Sequence, residues 1–167
     1  MWKIKFWHLL GKILIVLGVF LLLYPSLHQN VQETQDGIGY IEIPKLKIYL
    51  PIFEGTEEET LEKGVGHISE SSYPGRENSH CILAGHRGLP NKDMLLHLDK
   101  MSVGDQFYLI IDHEILEYTV CQIQVIKPNN TKSLGVQNGK ELVSLVTCTP
   151  YGINTHRLVV TGERVKE

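Results

Sequence analysis

A thiol, an imidazole and a guanidinium together can move an acyl group through a thioester, and this chain places one of each at the end of an apolar run. Cys148 follows Leu145-Val146-Thr147 and precedes Thr149-Pro150; proline cannot join a central ladder, so a strand should end there. Arg157 opens the next apolar run, beyond Gly152. If the two strands are antiparallel neighbours, their facing ends lie roughly 5 Å apart. A guanidinium at that distance lowers a thiol's pKa and can donate hydrogen bonds to an oxyanion. His86 stands where Gly88 and Pro90 stop the run Ser79–Gly85, a strand end from which it could shuttle the proton. Spacing alone leaves a second reading open, because buried free cysteines are common core residues and one cysteine with a distant histidine fits many proteins.

The elements that must position these groups are mostly strands. Ile38–Ile43 and Ile48–Phe53 are β-branched and aromatic, with Pro44 between them. Gln106–Ile111 and Ile115–Ile126 alternate around Asp112-His113-Glu114, which predicts a hairpin, and Leu142–Thr147 and Leu158–Thr161 complete the set. The spacing of Met94, Leu95 and Leu98 predicts a helix over Asp93–Met101, and Glu57–Lys63 suits one or two helical turns ended by Gly64 and Gly66. A mainly β fold of seven or eight short strands with brief helices suits a closed or nearly closed barrel.

Composition narrows the function. Sixteen basic and nineteen acidic residues give a net charge of -3, which offers no footprint for nucleic acid. Cys81, Cys121 and Cys148 are odd in number and widely spaced, so they form neither a disulfide framework nor a zinc pattern. Ile13–Tyr24 (ILIVLGVFLLLY) is purely apolar within a span from Ile4 that is long enough to cross a bilayer as a helix. No small-residue cleavage site follows it, and Lys3, Lys5 and Lys12 precede it, so an uncleaved anchor with the N-terminus in the cytoplasm is expected. The organisation is then a cytoplasmic N-terminus and anchor over 1–25, a polar linker over 26–37 and an extracytoplasmic catalytic domain over 38–167.

At this point two motifs carry a family resemblance. Ser144-Leu-Val-Thr-Cys-Thr-Pro-Tyr-Gly-Ile-Asn-Thr-His-Arg-Leu158 resembles the TLxTC signature and downstream arginine of the sortases, in the form of the pilin-polymerising class C enzymes. Ala84-Gly-His-Arg-Gly-Leu-Pro90 resembles the same class's histidine loop. The resemblance covers most of residues 38–163. It implies an eight-stranded sortase β-barrel, with Cys148 as nucleophile, His86 as general acid and base, and Arg157 as the oxyanion or substrate-positioning cation. The implied reaction is cleavage of an LPxTG-like sorting signal between Thr and Gly through a Cys148 thioacyl intermediate, then transfer to an amine. That amine is a pilin lysine in pilus assembly or a peptidoglycan precursor in surface-protein anchoring. No cofactor and no metal are implied, and the implied location is the Gram-positive cell surface. Class C relatives carry a long N-terminal lid; here only about a dozen residues separate the apolar span from the first strand, so an open, lidless site is expected.

The other candidates have plainer roles. Strand alternation puts His156 on the face opposite Arg157. Cys81 and Cys121 read as core residues, with an 81–121 bridge open outside the cytoplasm. His67, His80, His97 and His113 lack a metal-ligand spacing. Glu57-Glu58-Glu59 reads as a solvated helix start. A papain-like hydrolase would carry its nucleophile at a helix N-terminus, and a non-catalytic surface binding module would bury or bridge Cys148.

Overall fold

The computed structural model describes residues 37–166, so the anchor and most of the linker expected from sequence lie outside the described residues. Within them the alternating runs form eight strands: β1 (Gly37–Ile43), β2 (Ile48–Glu54), β3 (Val65–His67), β4 (Ser79–Ala84), β5 (Gln106–Ile111), β6 (Glu114–Ile126), β7 (Glu141–Thr149) and β8 (His156–Arg164). One short helix, α1 (Glu58–Leu61), joins β2 to β3. The strands close into a barrel in the order β1-β2-β3-β4-β7-β8-β6-β5, and β1 seals it by pairing with both β2 and β5.

Two neighbouring pairs are parallel, β2 with β3 and β4 with β7. Parallel neighbours need crossovers. The segment carrying α1 supplies the first, and the β5–β6 hairpin with its flanking connections supplies the second. That hairpin turns at Asp112 and His113, both at positive φ (50° and 68°), as a two-residue turn matched to strand twist requires.

Inward-facing side chains fill the barrel. Ile41, Ile43, Leu83, Phe107, Leu109, Tyr118, Leu145 and Val160 are all at 1 % exposure or less, and each such burial is worth about 1.5–3 kcal/mol. Phe107 stacks on Tyr118 with ring centroids 5.5 Å apart, and the Tyr118 hydroxyl donates to Glu141 at 2.7 Å, so the one polar tip in this aromatic pair has a partner.

Three expectations change. Residues 93–101 form successive tight turns with a 3-10 turn at Leu98–Lys100 instead of an α-helix. Met94 sits at φ 42°, and Leu95 N–H donates to His86 O at 3.1 Å, so a tertiary bond captures the donor a helix would have used. Leu95, Leu98 and Met101 still join the core, which accounts for the helix-like spacing. The glycines expected to end the helical turns flank and enter a strand, β3, which is three residues long and contains Gly66, where an added Cβ would collide with the Gly55 carbonyl. Cys121 is exposed, because the β6–β8 register shifts between Val120 and Gln122 and the bulge turns it out of the pleat.

Candidate active site

β4 and β7 run in register from Ser79 opposite Glu141 to Ala84 opposite Val146, and Gly85 N–H extends the ladder to Val146 O at 3.0 Å. β4 itself ends at Ala84; carried two residues past that end, its register brings His86 level with Cys148. On the other edge of β7, Cys148 pairs with Arg157 of β8. Three strand ends thus bring the three chemistry-bearing residues into one row, with Cys148 in the middle. Neighbours at one register level point to the same face. Cys81, Leu83, Val143, Leu145, Leu158 and Val160 point into the core, so the row His86–Cys148–Arg157 faces outward. All three side chains are half-buried.

The row is held by bonds from its immediate neighbours. Thr147, fully buried, donates its hydroxyl to Gly85 O at 2.8 Å, tying the residue before Cys148 to the residue before His86. Arg87 donates from Nε to Leu96 O at 2.8 Å, contacts Asp99 Oδ1 at 3.0 Å and reaches the carbonyl of Cys148 at 3.4 Å, so it clamps the 88–99 connection against the strand end. Arg157 donates to Asn154 O and His156 O, both at 3.1 Å. Among the described residues it has no carboxylate partner, which leaves its charge free for a ligand.

Glu58 is the residue that sequence reasoning passed over. It is exposed at the start of α1, as a solvated helix start should be, and it also places Oε1 3.2 Å from His86 Nε2. That nitrogen has no aligned hydrogen-bond partner, so the approach is a close contact and not a hydrogen bond. No local signal marks it, since only the β2–β3 crossover brings α1 to the end of β4.

The three thiols differ. All are free, so no 81–121 bridge forms. Cys81 is fully buried, and burial, helped by the Glu54 charge, pushes its thiol up to about 12. Partial burial also raises Cys121, whose thiol points to Thr161 O at 3.4 Å. Ser71, His67 and Glu54 have the residue types of a hydrolytic triad, with Ser71 Oγ 3.1 Å from His67 Nε2 and Nδ1 3.0 Å from Glu54. Ser71 spends its proton on Ile68 O at 2.7 Å and accepts Ile82 N–H at 3.0 Å, however, so this cluster ties a turn together. Among the described residues no group of three or more His, Cys, Asp or Glu side chains is placed to hold a metal ion.

A groove of about 410 Å³ opens on the outward face of β4, between the 68–78 and 127–140 connections. Ile68, Ser71, His80, Ile82, Leu134 and Val136 line it. Ile82 lies four residues before His86 on the same face, about 13 Å along the strand. An extended peptide with its scissile bond at Cys148 and its upstream residues along β4 would reach it.

A closed eight-stranded barrel with an outward Cys–Arg pair on adjacent antiparallel strands, and a histidine just past the end of the parallel neighbour, is an arrangement suited to acyl transfer through a thiol. The family model for the sortase domain matches residues 41–165, and the chain belongs to the sortase family, whose members are cysteine transpeptidases. It is 35% identical over 136 residues to sortase D of Bacillus subtilis, an alignment covering 80% of this chain and 66% of that protein. A Streptococcus agalactiae sortase A is 31% identical over 83% of this chain and 57% of its own, so the chain spans about two thirds or less of these relatives' length. Among solved structures, Streptococcus pneumoniae sortase C superposes with a TM-score of 0.78 at 42% identity, covering 81% of this chain and 72% of that one. Clostridium perfringens sortase C, solved with the C-terminal cell wall sorting motif, gives 0.75 at 47% identity, covering 79% and 72%.

Proposed function

We propose that this protein is a sortase-type transpeptidase that cleaves an LPxTG-like sorting signal between Thr and Gly and joins the threonyl carbonyl to an amine. The observation that supports the reading is the register of Cys148 with Arg157, with His86 just past the end of the neighbouring β4. The Cys148 thiolate attacks the threonyl carbonyl carbon, and Arg157 donates hydrogen bonds to the oxyanion that forms. The C–N bond then breaks, and His86 gives a proton to the departing glycine amine, leaving a thioester on Cys148. The acceptor amine adds to that thioester, His86 takes its surplus proton, and the thiolate leaves.

The acceptor we favour is a pilin lysine, on the strength of the sortase C neighbours, one of which is described in terms of pilin substrate specificity. Transfer to a peptidoglycan precursor, anchoring a surface protein, is the competing outcome. The apolar span over Ile13–Tyr24 fits a single-pass anchor that holds the barrel at the outer cell surface.

Mass spectrometry of the full chain in detergent with an LPxTG-type peptide tests the mechanism. A thioacyl adduct on Cys148, absent in Cys148→Ala and retained in Cys81→Ala, with turnover lost in His86→Ala and Arg157→Ala, is the expected result. No adduct across a broad panel of sorting peptides, with Cys148 inert to an alkylator, means a catalytically silent surface module. Offering a lysine peptide and a glycine-terminated amine in competition separates the two acceptors.

A further inference from the structure

His80 is buried, uncharged and far from the reacting row, yet both of its ring nitrogens are engaged. Nδ1 lies 3.0 Å from the carbonyl of Gly135 and Nε2 lies 2.8 Å from Ser144 Oγ. A carbonyl can only accept, which assigns the ring proton to Nδ1 and leaves Nε2 as the acceptor of the Ser144 hydroxyl. Ser144 Oγ in turn lies 2.7 Å from Thr161 Oγ1, which then donates to it. Burial lowers the pKa of His80 below the ordinary histidine range, which keeps the ring in this neutral form. The result is a directed chain of three hydrogen bonds, Thr161 to Ser144 to His80 to Gly135, in which every proton has one place to go.

The position of this chain gives it a consequence. Ser144 lies four residues before Cys148 on β7, and Thr161 lies four residues after Arg157 on β8, so both share the outward face of the catalytic row about 13 Å below it. Gly135 is outside the sheet, in the 127–140 connection between β6 and β7. That connection supplies Thr131, Leu134, Gly135 and Val136 to the wall of the 410 Å³ groove, and His80 and Ile82 supply its floor. The connection holds only one 3-10 turn, Lys132–Leu134, and Gly135 accepts no backbone hydrogen bond outside the regular elements. Ser79 N–H to Lys140 O at 3.1 Å and Gly139 N–H to Asn78 Oδ1 at 2.6 Å hold the far end of the connection, and the imidazole is the polar tether at Gly135, where the connection forms the groove wall.

We infer that His80 is a positioning residue: its Nδ1–H bond to Gly135, backed by Ser144 and Thr161, fixes the 127–140 wall against the sheet and so sets the groove that takes the peptide upstream of the scissile bond. This rests on the sorting-signal reading above, in which the upstream residues of an extended peptide run from Cys148 towards Ile82. A tether of this kind acts on peptide binding and leaves the Cys148 row untouched.

The test compares wild type with His80→Ala, His80→Asn and His80→Gln in the full chain, because the two amides have similar volume and restore different halves of the tether. Asparagine can place its amide N–H near the position of Nδ1 and donate to Gly135; glutamine reaches towards Ser144 and leaves Gly135 alone. In His80→Ala the KM for a sorting peptide should rise about tenfold with kcat within about twofold, the signature of lost binding rather than lost chemistry. Amide hydrogen exchange over 131–138 should quicken about tenfold in the same variant. Alkylation of Cys148 by iodoacetamide should be unchanged. His80→Asn should recover most of both effects and His80→Gln little of either. Equal recovery by the two amides, or unchanged exchange and KM in a folded His80→Ala, would overturn the inference. If wild type itself processes no sorting peptide, the function reading fails, and the exchange comparison still decides whether His80 tethers the wall.

Discussion

Replacing Thr147 with valine removes one hydrogen bond and almost no volume, and it does so between the backbones that carry Cys148 and His86. Thr147 is 2 % exposed, and its hydroxyl donates to Gly85 O at 2.8 Å, at the level where the β4–β7 ladder has just ended with Gly85 N–H to Val146 O. Valine would leave that carbonyl without this donor in a site water reaches poorly, at a cost of about 1–2 kcal/mol. For a barrel of this size that is a fall in Tm of roughly 4–8 °C. The functional loss should be larger than the stability loss implies. With the tie gone, the ends of β4 and β7 are free to separate, and displacement of a catalytic group by about 1 Å can cost about a hundredfold in rate. The expected result is a kcat/KM for sorting-peptide cleavage lowered between about tenfold and a hundredfold, measured well below the variant's Tm. Thr147→Ser, which keeps the hydroxyl, should retain most of both quantities. A valine variant with wild-type Tm and wild-type turnover would refute the claim that this side chain sets the spacing of the row.

Other outcomes follow from the same geometry. Iodoacetamide at pH 8 should label Cys148 and Cys121 in the native protein and Cys81 only after denaturation, because Cys81 is fully buried with its thiol pushed up to about 12; mass spectrometry of the labelled peptides checks this. Gly66→Ala drives a Cβ into the Gly55 carbonyl, and the backbone shift between β2 and β3 should cost about 1–3 kcal/mol in urea denaturation. Glu54 is held below its ordinary value of 4.5 chiefly by the Tyr73 hydroxyl, which donates to it at 2.6 Å. A depressed carboxyl contributes stability that is complete above the unfolded value and is lost as pH falls through the folded one. Tyr73→Phe should therefore cost up to about 1 kcal/mol at neutral pH, the pair being partly exposed, with the gap to wild type narrowing in acid.

Alternation and turn chemistry made most of the barrel legible before any coordinates. Residues such as Phe107, Leu109, Tyr118 and Val120 repeat every second position, and Asp112-His113 can turn only one way between strands of normal twist. β3 was not legible, because three residues around a glycine carry no period. The 93–101 segment misled for the opposite reason: Met94, Leu95, Leu98 and Met101 are all buried, and a chain of tight turns can bury such a set as well as a helix does. At the site, Cys148 and Arg157 were legible from the proline and glycine that mark their strand ends. Glu58 and the His80 tether were not, since each depends on which distant segments the crossovers bring together.

The alternation that builds the core also separates stability from chemistry. On β4, β7 and β8 the odd or even positions that point inward, Leu83, Leu145 and Val160, are fully buried and carry the barrel. Their neighbours in sequence point outward and build the row and the groove. Cys148 and Arg157 are therefore open to replacement at little cost to the core, while Thr147, an inward position whose hydroxyl donates to Gly85 O beside the row, serves both. Further down the outward face the same strands bury Ser144 and Thr161 beneath a connection that is not part of the sheet. Polar groups buried there need partners supplied by that connection, and the connection needs a fixed seat to shape a groove. A histidine satisfies both requirements at once, because its two nitrogens can accept from the sheet and donate to the loop in a single neutral ring.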